Sequence, residues 1–207
     1  MQGAQHAAVL RRGLAPKYST LAEAAAFPGA DYKVSWMSED MTCAKSAMDL
    51  GESLRAIQVL NKQRRYKICS PSVALFCVHV LRSFSDEAKA LSIVFVNSAK
   101  MRGINNAYLS HDYATDVLSF SYEGAVMEGR PFLGEIVIAP EIAAFHAARY
   151  GISPEKEIRK LLVHGILHLM GYNHETDQGQ MKRLQTRLLR RKLLSTAFPV
   201  AVMKETP

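Results

Sequence analysis

The segment SPEKEIRKLLVHGILHLMG, residues 153–171, constrains the fold of this chain most strongly. Ser153 is a typical helix N-cap, Pro154 suits the first helical position, and the acidic residues that follow favour a helix start. Gly171 is typical of a helix end. The interior is apolar, with Leu161, Leu162, Ile166, Leu167 and Leu169. The sequence therefore predicts a buried helix against which the other elements pack.

Three histidines lie at the end of this predicted helix, in HGILHLMGYNH. His164 and His168 are four residues apart, so they share one helix face with about 6 Å between them. A chain reversal at Gly171 brings His174 toward this pair. A lone histidine on an apolar helix is usually a hydrogen-bonded core residue, but a third one after a helix-ending glycine favours a metal site. Three nitrogen ligands and an open position are typical of catalytic zinc, so we expect one Zn²⁺ per chain, with Ni²⁺ and Cu²⁺ left open.

Segments of strand and helix character precede the histidine helix. The strand segments are apolar and rich in β-branched residues, whereas the helical segments have a period near 3.6 residues. We predict strands at 91–96, 115–122 and 132–139, and helices at 48–65, 72–84, 98–109 and 140–151. This order predicts an α+β fold in which a small mixed β-sheet is covered by helices, with the metal-binding helix at its centre.

The length of 207 residues suits one globular domain. Residues 1–30 are weakly patterned and basic, as an N-terminal extension or an organellar transit segment would be. We therefore place a single metal-dependent domain at residues 31–207. The sequence has no apolar run of about 18 residues, so we expect no membrane span and a cytoplasmic protein, or an organelle-matrix protein if residues 1–30 direct transit.

Basic residues are concentrated near the C-terminus of a chain whose formal net charge is +7. No Asp or Glu occurs between Gln178 and Met203. Such a run is either a solvated helix face or a contact surface for an anionic partner such as a phosphate backbone. The candidate substrate-binding residues in it are Arg183, Arg187, Arg190 and Arg191.

The histidine spacing limits the chemistry that a bound metal ion would serve. H-x-x-x-H-x-x-G-x-x-H is the ligand spacing of the metzincin proteases, which carry a glutamate general base directly after the first histidine. Gly165 occupies that position here and cannot accept a proton. A phosphodiester is the alternative substrate of a metal-dependent hydrolase, and the basic charge of this chain suits it.

These motifs resemble those of the YbeY endoribonucleases. HGILHLMGYNH resembles the HGxLHLxGYDH signature of that family, and LSIVFVNSAKMRGINNAYLSHDYATDVLSF and FLGEIVIAP are similar to two further family segments. The resemblance covers roughly residues 89–185. It implies a zinc-dependent, single-strand-specific endoribonuclease that matures ribosomal RNA at the 3′ end of 16S rRNA and takes part in ribosome quality control. The implied partners are ribosomal RNA and the small ribosomal subunit.

The resemblance also implies roles for individual residues. His164, His168 and His174 would be the zinc ligands. Several other positions match the family motif on the approach to the site, namely Asn105, Tyr108, Asp112, Thr115, Asp116 and Ser119.

Three positions depart from the family pattern. Leu109 replaces an arginine thought to contact RNA, Glu135 replaces the aspartate of L-G-D-I, and Asn173 replaces the aspartate of G-Y-D-H. Leucine cannot pair with a phosphate as a bidentate arginine does. Asn173 loses a charge but keeps its hydrogen-bonding capacity.

Hydrolysis also requires a proton acceptor, for which Glu135 and Asp116 are the candidates. Each has an alternative role, because Asp116 would cap a turn through its side chain and Glu135 would hydrogen-bond a ligand histidine. Two other functions remain open. One is a zinc-dependent peptide or amide hydrolase, and the other is a catalytically weakened ribosome-associated factor that lacks the arginine replaced by Leu109.

Overall fold

A mixed β-sheet forms the centre of the fold in the computed structural model, which describes residues 9–11, 50–85, 87–122, 124–191 and 202–204. The strands are β1 (Val9–Arg11), β2 (Ile57–Asn61), β3 (Tyr66–Ile68), β4 (Ala90–Phe95), β5 (Val117–Ser121), β6 (Val126–Met127), β7 (Arg130–Ile138) and β8 (Val202–Lys204). The main sheet has the order β1-β5-β7-β4-β2, with β6 paired to β7. Strand β5 is antiparallel to β7, whereas β4 is parallel to both β7 and β2. Strands β3 and β8 form a separate antiparallel pair.

The helices cover this sheet and match the predicted ones closely. They are α1 (Ser70–Leu81), α2 (Ser98–Leu109), α3 (Pro140–Arg149), α4 (Pro154–Leu169) and α5 (Gln180–Leu189). The Ser153 hydroxyl oxygen caps α4 by accepting a hydrogen bond from the backbone N of Lys156 at 3.3 Å. The predicted α+β fold, with a small mixed sheet covered by helices, is confirmed.

The predicted helix at 48–65 is only partly correct. Residues 50–55 are helical, but Ile57–Asn61 forms strand β2. This strand pairs in parallel with β4, with Ile57 opposite Leu91. Its β-branched and apolar residues satisfy a helical pattern in isolation, but the available sheet edge decides in favour of a strand.

The two faces of the sheet carry separate cores. Helix α4 packs on one face, where a Cβ atom added to Gly165 would lie 2.8 Å from the Cδ1 atom of Ile136. Glycine at this position therefore lets the helix approach the central strand closely. The second core lies on the other face and includes Met101 and Ile104 of α2 together with Leu118, Phe120 and Val137.

No helix among the described residues is long and apolar enough to cross a bilayer. Of the predicted extension at 1–30, the structure describes only Val9–Arg11, which pairs in parallel with β5. The remainder of that segment lies outside the described residues. The domain boundary at residue 31 stays a prediction.

Candidate metal centre

Three histidines meet at the C-terminal end of α4 and in the turn that follows. Gly171 has a φ of +91°, a conformation that glycine adopts at little cost. The backbone N of the next residue donates a hydrogen bond to the carbonyl oxygen of Leu167 at 3.0 Å, which closes the helix end. This reversal places His174 beside His164 and His168, as the sequence predicts.

The imidazole rings converge on one point. The Nε2 atoms of His164 and His168 lie 3.1 Å apart. The ring centroid of His174 lies 5.2 Å from that of His164 and 5.1 Å from that of His168. Each ring offers one nitrogen, and the three nitrogens lie within 4.8 Å of one another. This cluster is able to hold a metal ion.

Hydrogen bonds on the outer side of the rings fix their orientation. The Nδ1 atom of His168 lies 3.0 Å from the carbonyl oxygen of Tyr172, and the Nδ1 atom of His164 lies 3.3 Å from Oε1 of Gln185. The side-chain amide of Gln185 donates to the carbonyl oxygen of Lys160 at 3.2 Å, so its oxygen faces the imidazole. Histidines that bind metals usually donate their other ring N–H to such an acceptor.

These contacts test whether the cluster fits a cation. Both acceptors are oxygens, so the Nδ1 atoms of His164 and His168 carry the protons that they donate. Their Nε2 atoms then direct lone pairs at each other across 3.1 Å. The Nε2 atom of His174 is buried and has no hydrogen-bond partner among the described residues. A cation between the three rings would satisfy all three nitrogens, so the donor set fits a metal ion.

Burial keeps these imidazoles neutral. Removal from water lowers the pKa of His164 to about 3, and the neighbouring His168 lowers it further. Burial and then the proximity of His174 lower the pKa of His168 to about 4. Both rings are therefore uncharged at neutral pH, which is the form that binds a metal.

Asn173 shapes the turn that carries the third histidine. Its side-chain oxygen accepts a hydrogen bond from the backbone N of Glu175 at 3.0 Å, and its carbonyl oxygen accepts one from the backbone N of Asp177 at 3.0 Å. A neutral amide oxygen makes the first contact as well as a carboxylate does. The departure from aspartate at this position therefore leaves the position of His174 intact.

Glu135 lies on the far side of the sheet from the histidines. The preceding contact between Ile136 and Gly165 shows that position 136 faces α4, and neighbouring strand residues point to opposite faces. The Tyr122 hydroxyl donates to the Glu135 carboxylate at 2.9 Å on that opposite face. The structure thus does not bring Glu135 to the cluster, and it has no route to accept a proton there.

Asp116 lies nearer to α4 but away from the histidines. Its Oδ1 atom accepts a hydrogen bond from the backbone N of Val117 at 2.9 Å, while Oδ2 lies 3.0 Å from Nδ1 of His146. This carboxylate groups with Glu157 of the first turn of α4. Glu157 and His164 are two helical turns apart, or about 10 Å. That separation is too long for direct proton transfer.

The remaining motif residues on the approach to β5 hold the chain between α2 and β5. The buried side-chain amide of Asn105 donates to the carbonyl oxygen of Tyr113 at 2.9 Å. Arg102 donates two hydrogen bonds to Asp112, at 2.7 and 2.6 Å. Leu109 is partly buried and packs against the second core. These contacts give the segment a structural role and place Leu109 on the sheet face opposite α4.

The candidate RNA-binding arginines lie on the outer surface of α5. Arg183, Arg187 and Arg190 are exposed and share one helix face by their spacing. Gln185, which contacts His164, lies on the opposite face of the same helix. Arg191 donates to a serine hydroxyl near the end of α1 at 2.8 Å. The arginines are therefore accessible to a macromolecule but do not line the histidine cluster.

Gln185 is a site residue that the motif analysis does not find. The available signal is a polar residue within the apolar face of α5, beside Met181, Leu184 and Leu188. Glu175 is a second such residue. It directly follows His174, is exposed, and its charge acts on His168.

The fold and the cluster together define an α+β protein with a three-histidine, metal-binding site on its central helix. The sequence model of the family described as Endoribonuclease YbeY matches residues 58–192. The chain belongs to this family. The resemblance predicted from the histidine motif is confirmed.

Individual relatives agree with this assignment. Endoribonuclease YbeY of Thermodesulfovibrio yellowstonii is 32% identical over 159 residues, which cover 70% of this chain and 98% of the relative. Endoribonuclease YbeY of Nautilia profundicola is 38% identical over 112 residues, which cover 54% of this chain and 78% of the relative. The solution structure of TM1509 from Thermotoga maritima is 24% identical with a TM-score of 0.47, covering 64% of this chain and 86% of that one.

Proposed function

We propose that this protein is a zinc-dependent endoribonuclease that cleaves single-stranded ribosomal RNA and acts in maturation of the 3′ end of 16S rRNA and in ribosome quality control. The observation that carries the metal dependence is the pair of Nε2 atoms held 3.1 Å apart by hydrogen bonds on the outer side of each ring. Membership of a family of endoribonucleases supports the choice of RNA. The proposed place of action is the cytoplasm.

The chain supplies the site in three parts. His164, His168 and His174 would hold the ion, while Gln185 and the carbonyl oxygen of Tyr172 keep the ligand nitrogens pointed inward. A bound Zn²⁺ acts as a Lewis acid that stabilises negative charge developing on the phosphodiester.

Glu175 is our candidate for the proton acceptor. Asn173 fixes its backbone next to His174, and its exposed side chain leaves room for RNA. Of the two carboxylates that the sequence suggests for this role, Glu135 is across the sheet and Asp116 is two helical turns away. Glu175→Gln should lower RNA cleavage at least tenfold and leave the bound metal unchanged. Equal cleavage by this variant would remove Glu175 from the mechanism.

The exposed face of α5 is the proposed contact with ribosomal RNA and the small ribosomal subunit. Arg187 and Arg190 are exposed and have no carboxylate partner among the described residues. Exposed guanidinium groups bind phosphates in pairs of hydrogen bonds. Because this face lies opposite Gln185, we expect it to anchor the RNA rather than to contact the scissile phosphate.

Metal analysis and RNA cleavage by the same preparations test the proposal. Protein purified without a histidine tag should carry about one Zn²⁺ per chain and cleave single-stranded rRNA fragments. His174→Ala should lose both properties, because it removes a ligand on the turn rather than in the core. His79→Gln in α1 is the matched control and should keep both.

Two outcomes would favour other functions. Cleavage of a peptide library that is lost on chelation, with RNA left intact, would favour a zinc peptidase or amidase. Normal rRNA maturation by a folded His174→Ala protein would favour a ribosome-associated factor that needs no catalysis.

A further inference from the structure

A second group of potential ligands lies at the N-terminal end of α4. Asp116, His146 and Glu157 each offer one ligand atom, and these atoms lie within 4.8 Å of one another. Asp116 is 1% exposed and Glu157 is 0% exposed, whereas the His146 side chain is 30% exposed. Two carboxylates and an imidazole thus meet in a nearly closed space with one side open to solvent.

The three residues come from different elements and are held in place independently. Asp116 precedes β5, and hydrogen bonds from the backbone N of Val117 at 2.9 Å and from the Thr115 hydroxyl at 3.3 Å tie its Oδ1 atom. The other oxygen, Oδ2, is therefore directed to Nδ1 of His146 in α3, at 3.0 Å. Glu157 reaches the same point from the first turn of α4.

The spacing of these atoms resembles that of the histidine cluster. The Asp116–His146 separation of 3.0 Å is close to the 3.1 Å between the Nε2 atoms of His164 and His168. Ligand atoms about 2.1 Å from a shared cation and at right angles to one another lie about 3 Å apart. Both clusters therefore have the separation that a common ion requires.

The charges also call for a cation. Two buried carboxylates this close together are costly unless positive charge compensates them. Lys160 supplies one charge, with Nζ at 3.1 and 3.4 Å from the Glu157 oxygens. Its side chain is 30% exposed, and Nζ also lies 6.0 Å from the centroid of the Tyr150 ring. Lys160 thus has solvent and an aromatic ring as alternative contacts when another cation approaches Glu157.

We propose that Asp116, His146 and Glu157 form a second divalent-cation site. A set of two carboxylates and one imidazole is harder than three imidazoles and accepts Mn²⁺ as well as Zn²⁺. The two sites lie about 10 Å apart along α4, well beyond the 3.5 to 4 Å of a two-metal catalytic centre. The second ion therefore joins α3, α4 and the start of β5 and stabilises the fold that carries the histidines.

Mn²⁺ titration of zinc-loaded protein tests this site directly. Free Mn²⁺ is counted by electron paramagnetic resonance, after the histidine cluster has been filled with one equivalent of Zn²⁺. The wild-type chain should bind one Mn²⁺, and His146→Gln and Glu157→Gln should each weaken that binding at least tenfold. His79→Gln should bind as the wild type does. Absence of bound Mn²⁺ in the wild type, or equal binding by His146→Gln, would overturn the proposal.

A stability measurement separates the cation site from a simple ion-pair network. Lys160→Met removes the competing ammonium group but keeps the aliphatic stem. In metal-free buffer this variant should melt below the wild type, because Glu157 loses its ion pair. Added Mn²⁺ should raise the Tm of the variant more than that of the wild type, since the ion no longer competes with Lys160. A variant whose Tm stays low and does not respond to Mn²⁺ would show that the cluster is held by ion pairs alone.

Both measurements stand apart from the proposed nuclease activity. Neither readout involves RNA, so loss of the second site would leave the proposal for the histidine cluster in place. Mn²⁺ binding by a His174→Ala protein would likewise show that the second site does not depend on the first.

Discussion

Substitution of Gly165 by alanine gives a sharp test of how closely α4 packs on the sheet. The new Cβ atom would lie 2.8 Å from Cδ1 and 3.0 Å from Cγ2 of Ile136. Ile136 is fully buried in the central strand β7, so it cannot move aside freely. Overpacking of this kind costs about 1 to 3 kcal/mol, while the better helix propensity of alanine returns up to about 1 kcal/mol. We therefore expect a net loss of up to about 2 kcal/mol.

Gly103 provides the matched control for this substitution. It lies in the interior of α2, is exposed, and an added Cβ atom would have no neighbour within 4 Å. Gly103→Ala should therefore stabilise the protein by up to about 1 kcal/mol through propensity alone. The difference between the two variants removes the propensity contribution and isolates the contact with Ile136, at about 1 to 3 kcal/mol.

Urea unfolding of the metal-free variants measures these differences. Combination of Gly165→Ala with Ile136→Val, which deletes the nearest atom, should cost less than the sum of the single changes by at least about 0.5 kcal/mol. A Gly165→Ala protein as stable as Gly103→Ala would refute the close approach. Additive effects in the double variant would do the same, because they would show that the two positions do not touch.

Three further predictions concern the histidines and the charged surface. Because the pKa values of His164 and His168 lie near 3 and 4 in the folded chain and near 6.5 in the unfolded one, only the unfolded chain gains protons as the pH falls below 6.5. The metal-free protein should thus lose about 1 to 2 kcal/mol per histidine between pH 7 and pH 5 in urea unfolding, and a flat profile would contradict their burial. Leu109→Arg should lower stability by about 1 to 2 kcal/mol with unchanged metal content, since the leucine packs against the second core; an unchanged Tm would contradict that packing. Arg187→Glu and Arg190→Glu should each reduce the log-log salt slope of rRNA binding by about 0.7 to 0.9 in filter-binding assays, whereas an unaltered slope would identify a solvated face.

The sequence by itself determines the local parts of this protein. Ser153 and Gly171 mark the two ends of α4 through capping chemistry that acts within a few residues. The four-residue spacing of His164 and His168 places them on one helix face for the same reason, because helical geometry is set by neighbours along the chain. The turn that follows then carries His174 toward them. The histidine cluster could therefore be predicted without knowledge of the rest of the fold.

Only the tertiary structure decides which distant residues join each site. Glu135 and Ile136 are adjacent in sequence, yet the pleat of β7 points one toward α4 and the other toward α2, and the face on which α4 packs depends on the whole sheet. Gln185 reaches His164 only because α5 folds back along α4. Asp116 and Glu157 are far apart in the chain and meet through the packing of α4 against β5. Contacts of this kind depend on how elements pack across the fold, which no short-range pattern in the sequence encodes.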